Sequence, residues 1–293
     1  MTVRIVTDGG AQFLNPAIVA EHGITVLPRT IAIGTHRFTE PGSLNVSDFI
    51  WAIDHGQPPV VTAPSVDTFR AAYLDLARET GEILSIHSSQ GFDAACTNAR
   101  AAAQSILGRC TVHVLDSMTT SFSLGYLVDQ VGKAATAGEN FDALVKMARR
   151  QIGSLYALFY TESPTALHGA HVLSESHAML SDLLDLRLLV AIEDGQLVVH
   201  EKARARPQAF TYLMEFIAGF HAEDQVVIVS ATAGQEIARS LQLRLSTELG
   251  WPPCPMRAFN STLGAALGSS AVGVLVSREY VEQIHAVSSD DDD

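Results

Sequence analysis

The chain of 293 residues carries 19 Lys and Arg against 32 Asp and Glu, a net charge of −13 with histidines neutral. That balance speaks against nucleic acid as the main partner, because gripping phosphates takes a basic patch and no run is richer in Lys and Arg than Lys202 to Arg206. Apolar residues make up 47% and charged residues only 17%, against about 25% charged in an ordinary domain, which leaves apolar side chains for a large core or for lining a cavity. Cys96, Cys110 and Cys254 have no CxxC spacing, so neither a disulfide framework nor a zinc knuckle is indicated. Residues 1–10 lack the apolar centre of a signal peptide, and no window reaches the ~18 apolar residues of a membrane span. The expectation is a cytoplasmic protein without membrane insertion.

In chain order, Val3 to Thr7 is a β-branched run ending in Asp8-Gly9-Gly10, followed by a helical pattern from Pro16 to His22 and a strand from Ile24 to Leu27. Asn45 to Asp48 can cap a helix through Phe49, Ile50 and Ile53, which Pro58-Pro59 ends. Phe69, Ala72, Tyr73, Leu76 and Ala77 recur at helical spacing within 66–80. A strand at Ile83 to His87, a helix at 94–107, a strand at Thr111 to Leu115, helices at 121–137 and 141–152 and a strand at Leu155 to Tyr160 continue the alternation. Strands alternating with helices predict a three-layer α/β unit with a mainly parallel sheet over residues 1–160.

The pattern then changes. Leu188 to Ile192 and Leu197 to His200 flank Asp194-Gly195, a hairpin signal, so residues 161–282 are expected to form an α+β unit with a partly antiparallel sheet. Helices at 208–220 and 234–249 enclose a strand at Val226 to Ser230, and the acidic ending, 283–293, is expected to be disordered.

Candidate chemistry concentrates in loops. Gly9 and Gly10 follow the first strand, where an open α/β sheet usually binds its ligand, but no GxGxxG or GxxxxGK[ST] accompanies them, so a nucleotide cofactor is not indicated. Thr62 and Ser65 precede a helix, and Ser88, Ser89 and Gln90 follow a strand; they can cap helices or converge on an anionic head group. A hydrolase built on Ser88 or Ser89 with His87 or His171 lacks a GxSxG elbow, and adjacent His and Ser on one strand point to opposite faces. His168, His171 and His177 could hold metal, yet Pro164 and Gly169 argue against a regular helix there, which favours plain hydrogen-bonded histidines. Lys202, Arg204 and Arg206 share a face if their strand continues, and so could meet an acidic ligand or protect a sheet edge.

These segments together resemble the DegV family of bacterial fatty-acid-binding proteins, from about Val3 to Val276. Ile5-Val6-Thr7-Asp8 is similar to its VTDS start, Val61 to Ser65 to its TSQPS loop, Ile83 to Ser89 to its ILSIHISSGLSGT segment, and Val114 to Ser117 to its VIDS. Ile192 to Gly195 and Glu201 to Arg204 resemble VEDG and EKVR. The resemblance implies a two-domain fold holding a long-chain fatty acid in a buried apolar tunnel, its carboxylate held by the Thr/Ser loops at Thr62, Ser65, Ser88 and Ser89. Some members carry the acyl chain for a separate fatty acid kinase catalytic subunit. The chain departs from the family where Gly9 and Gly10 replace hydroxyls, where Val172 beside His171 stands for an arginine, and where Ala266 stands for a histidine.

The reading that results is a non-catalytic carrier of a long-chain fatty acid or similar amphiphile, with no cofactor and no metal. Its site comprises Gly9, Gly10, Thr62, Ser65, Ser88, Ser89, Gln90, His171 and Arg204. About fourteen buried methylenes at ~0.8 kcal/mol each would supply roughly 11 kcal/mol before ordering costs. The alternatives are a Ser-dependent acyl hydrolase or transferase, or a related protein whose altered site binds another ligand or a protein partner.

Overall fold

The computed structural model describes residues 3–42, 49, 52 and 59–278. The first sheet has the order β2-β1-β6-β7 and is parallel throughout, with β1 at Arg4–Asp8, β2 at Thr25–Leu27, β6 at Glu82–His87 and β7 at Thr111–Asp116. Its two faces are both buried, which is why these strands read as apolar runs. Val3, Ile5, Leu84 and Ile86 pack against α1 (Ile18–Glu21), α4 (Ser121–Thr136) and α5 (Phe141–Ile152). Val6 and Ile83 meet α2 (Val66–Leu76) and α3 (Ala95–Ser105) through Phe69, Tyr73, Ala99 and Ala102. The three layers expected from the alternation are therefore present.

The second sheet has the order β10-β9-β8-β13-β11-β12, formed by β8 (Leu155–Thr161), β9 (Arg187–Glu193), β10 (Gln196–Ala203), β11 (Gln225–Ser230), β12 (Met256–Ala258) and β13 (Val272–Ser277). Every neighbouring pair is antiparallel except β11 with β12. The hairpin between β9 and β10 turns at Asp194 and Gly195, both with positive φ (48° and 77°), as a type I′ turn requires. One face of the sheet packs on α8 (Arg206–Ala218) and α9 (Gln235–Leu249). The other carries Phe159, Leu188, Val190, Val227 and Leu275 against Phe122 of α4, Leu167 of α6 (Pro164–Gly169) and Leu263 of α10 (Ser261–Leu267).

Several elements differ from expectation. A small antiparallel sheet of order β4-β3-β5, made of β3 (Arg29–Ile33), β4 (His36–Glu40) and β5 (Val60–Thr62), follows β2. Residues 164–169 do form a helix, because Pro164 takes its first position, where its missing N–H costs nothing, and Ser163 caps it. A further helix, α7 (Glu175–Leu183), begins at the Ser174 cap. The strand through Lys202 stops at Ala203, and Arg206 opens α8, so Lys202, Arg204 and Arg206 do not share a strand face. The helix expected around 49–53 lies outside the described residues except for Phe49 and Ala52, and so does the acidic ending.

Candidate functional site

A polar centre with no exposure to solvent lies where the first sheet meets the second. Its members come from element ends: Asp8 and His87 close β1 and β6, Ser88 follows at once, Arg29 opens β3, Thr120 precedes α4, and Asn260 caps α10. Carboxyl ends of parallel strands are where an open α/β sheet leaves room for a ligand.

Asp8 organises the centre. Its Oδ1 accepts from Gly10 N (2.8 Å), Arg29 Nε (3.0 Å) and the Ser88 hydroxyl (3.2 Å), and its Oδ2 accepts from Ser88 N (2.9 Å) and His87 Nδ1 (3.1 Å). Burial alone would raise its pKa, but the Arg29 guanidinium and then His87 override this and hold the carboxyl well below the ordinary range. Arg29 is fully buried, its Nη2 lying 2.8 Å from both Asp8 and Asp93 and donating to the Ser88 hydroxyl, while Nη1 donates to Thr262 at 2.6 Å. Asn260 Nδ2 donates to Thr120 Oγ1 and to the Gly10 carbonyl, both at 3.0 Å. Glu40 accepts from Ser261 N at 3.0 Å and from the Ser261 hydroxyl. Burial raises the pKa of both Glu40 and Asp93.

Gly10 makes this arrangement possible. A Cβ there would stand 2.1 Å from Arg29 Nη2 and 2.3 Å from Ser88 Oγ. The absent side chain and the buried guanidinium are thus one feature, with Arg29 entering from β3 to fill the space beside Gly10. Arg29 belongs to none of the motifs in the sequence. Its signal was register: Arg29, Ile31 and Ile33 share one face of β3, and that face is buried.

On the far side of Asp8 runs a second chain of hydrogen bonds. With Nδ1 donating to Asp8, His87 Nε2 accepts from Ser85 (2.6 Å), whose hydroxyl in turn accepts from Tyr73 (2.7 Å). Asp8, His87 and Ser85 have the connectivity of a hydrolytic triad, but Ser85 lies within β6, on the side of Asp8 away from Arg29 and Ser88, with its hydroxyl already bonded to Tyr73. His87 faces Ser85 rather than Ser88. His87 and Ser88 nevertheless both reach Asp8, because the strand ends at His87 and its alternation ends with it.

The structure brings Gly9, Gly10 and Ser88 to the polar centre; Gly9 N donates to the Leu27 carbonyl at 2.8 Å. Ser89, also buried, accepts from Gly91 N at 3.2 Å and packs under the β9–β10 turn, where a Cβ on Gly195 would fall 2.2 Å from its hydroxyl. Thr62 is exposed at the end of β5, opposite Thr30. Ser65 is exposed and caps α2 by accepting from Thr68 N at 3.2 Å. Gln90 is exposed, its N–H bound to Asp116 at 3.2 Å. Arg204 and His171 are exposed and remote in sequence from the rest, His171 with φ at 60°. His168 bonds to the Leu173 carbonyl at 3.1 Å, and among the described residues no group of three metal-binding side chains converges.

Apolar surface begins directly beside the polar centre. Phe122 follows the Thr120-Ser121 corner and Phe259 precedes Asn260; both belong to the buried layer on the second sheet, with half-buried Phe92, Ile192, Leu197 and Val199 against it. Ser121 at the corner has φ of 63°, a left-handed conformation uncommon for a residue with a Cβ. A buried set of hydrogen-bonding groups thus abuts an apolar layer.

The profile of the family described as "Uncharacterised protein, DegV family COG1307" matches residues 2–279. The chain belongs to the DegV family. A DegV domain-containing protein of Streptomyces coelicolor is 26% identical, covering 94% of this chain and 98% of that protein. One from Staphylococcus aureus is 21% identical, covering 94% and 99%. Among solved structures, the fatty acid binding DegV family protein of Streptococcus agalactiae superposes with a TM-score of 0.85 at 21% identity, covering 96% of this chain and 100% of that one. The Streptococcus pneumoniae fatty acid kinase B3 protein, loaded with linoleic acid, gives 0.77 at 18% identity, covering 94% and 99%. At these identities the likeness establishes a shared DegV fold. No helix among the described residues is long and apolar enough to cross a membrane.

Proposed function

We propose that this DegV chain binds a long-chain fatty acid or similar amphiphile and carries out no chemistry on it. The head lies at the polar centre of Arg29, Ser88, Thr120 and Asn260, and the tail runs along the apolar layer that begins at Phe122 and Phe259. One observation carries this reading: the hydrogen-bonding centre and the apolar layer meet at adjacent residues, Thr120 to Phe122 and Phe259 to Asn260. The names of the streptococcal structural neighbours, one fatty acid binding and one loaded with linoleic acid, support it. The position of Ser85 inside β6, its hydroxyl bonded to Tyr73, supports a binding role over a hydrolytic one. A fatty acid kinase catalytic subunit is the partner that the pneumococcal neighbour's name suggests for a carrier of this kind.

The test is mass spectrometry of the purified protein under native and then denaturing conditions, with released small molecules identified. A stoichiometric alkyl-chain lipid is expected. Its absence, persisting after incubation with saturated and unsaturated acids and alcohols of twelve to eighteen carbons, would overturn the proposal.

A further inference from the structure

We infer that the head-group site selects an uncharged, hydrogen-bonding head, such as an alcohol, over a carboxylate, and that Asp93 sets this preference by occupying the guanidinium of Arg29. The inference rests on the amphiphile reading above and names the class of head that the site takes.

Three carboxylates, on Asp8, Asp93 and Glu40, act on the single buried guanidinium. Each nitrogen of Arg29 already has a protein partner: Nε has Asp8, Nη1 has Thr262, and Nη2 has Asp8, Asp93 and the Ser88 hydroxyl. A ligand carboxylate would enter as a fourth anionic group beside one cation, in a region from which water is excluded and where like charges repel strongly. The groups that remain are neutral, the hydroxyls of Thr120 and Thr262, since Ser88 donates to Asp8 and Asn260 is committed to Gly10, Thr120 and Leu263. Such groups can both donate to and accept from an alcohol, while a hydroxyl head leaves the existing ion pairs in place. Burial raises the pKa of Asp93 and of Glu40, as expected where carboxylates outnumber cations.

Asp93 is the member that can be changed alone. Its Oδ1 accepts from Ala95 N at 2.8 Å, a helix-start contact that an asparagine carbonyl preserves, and Arg29 would keep Asp8. The experiment measures binding of tetradecan-1-ol and tetradecanoate, both below their aggregation limits, to delipidated wild type and Asp93→Asn by native mass spectrometry and by displacement of a fluorescent alkyl probe. Wild type is expected to bind the alcohol at least tenfold more tightly than the acid. Asp93→Asn is expected to raise affinity for the acid at least tenfold while changing that for the alcohol by less than threefold. Tighter or equal binding of the acid by wild type, or an acid-to-alcohol ratio unmoved in Asp93→Asn, overturns the inference and leaves the amphiphile reading standing. Binding of neither compound overturns the inference, and binding of none of the acids and alcohols of twelve to eighteen carbons overturns the amphiphile reading as well. Should the variant fail to fold, the wild-type ratio decides alone.

Discussion

A guanidinium taken out of water loses several kcal/mol of hydration, and Arg29 offsets that loss only through the carboxylates and hydroxyls around it. Removing the cation strands the anions, so Arg29→Met is expected to destabilise the protein by ~3–5 kcal/mol, read as a lower urea midpoint. Gly10→Ala drives a methyl group into the same guanidinium, which Asp8 pins in place, and should cost about 1–3 kcal/mol. The two changes act on one space, so the double variant should lose less than the sum of the single losses. Strict additivity in the same urea titrations would mean that Gly10 is constrained by something other than Arg29. This coupling was hidden in the sequence, because Arg29 answers Asp8 and Asp93 across 21 and 64 positions of chain, and neither acid stands at a helical spacing from it. The doublet Gly9-Gly10 was visible as a departure from the family's hydroxyls, but what filled the space was not.

Elements were legible where a period ran long enough to show it. The helices α2 to α5 and the four parallel strands announce themselves by spacing, and the β9–β10 hairpin by its Asp194-Gly195 turn, whose two positive φ values suit that pair of residues. Sheet β4-β3-β5 was missed because its strands are three to five residues long and half exposed, too short for alternation to stand out. At 164–169 proline reads as a breaker by type alone, but its place directly after a capping serine makes it a starter. Ser65 shows how one residue type supports two readings. Its hydroxyl caps α2 in this structure, so Ser65→Ala should lower stability by ~1 kcal/mol and Ser65→Gly by only a few tenths. Chemical denaturation at unchanged slope separates these outcomes, and equal losses in both variants would assign the hydroxyl a role beyond the cap.

At the scale of the whole molecule, the two large sheets are joined through groups that also build the site. Asn260 donates across the seam to Gly10 and Thr120 while capping α10, so Asn260→Ala removes a cap and leaves the Gly10 carbonyl without that partner. A loss of ~2–3 kcal/mol is expected, with circular dichroism and tryptophan fluorescence still reporting one coincident transition. Separate transitions by the two probes would mean that the seam does not couple the halves.

The carboxylates at this seam, with Glu162 just beyond the end of β8, pull pH dependence in opposite directions. Asp8 and Glu162 sit below the ordinary carboxylate range, Asp8 through Arg29 and His87 against its burial, and Glu162 at about 2 mainly through its hydrogen bonds from Arg206. Groups of this kind bind fewer protons folded than unfolded near pH 4, so their stabilisation is complete above the unfolded pKa of ~4 and drains away as pH falls. Burial places Asp93 and Glu40 above the range, so they hold protons longer in the folded state, and their contribution is full below ~4 and lost as pH rises through their folded values. Urea midpoints taken from pH 2.5 to 8 at constant ionic strength should therefore fall less steeply on the acid side in Glu162→Gln than in wild type. On the neutral side, Asp93→Asn should gain on wild type progressively as pH rises above 4, since asparagine has no proton to lose. A gap between Asp93→Asn and wild type that stays constant across this span would show that Asp93 ionises alike in the folded and unfolded chain, its ion pair with Arg29 offsetting its burial.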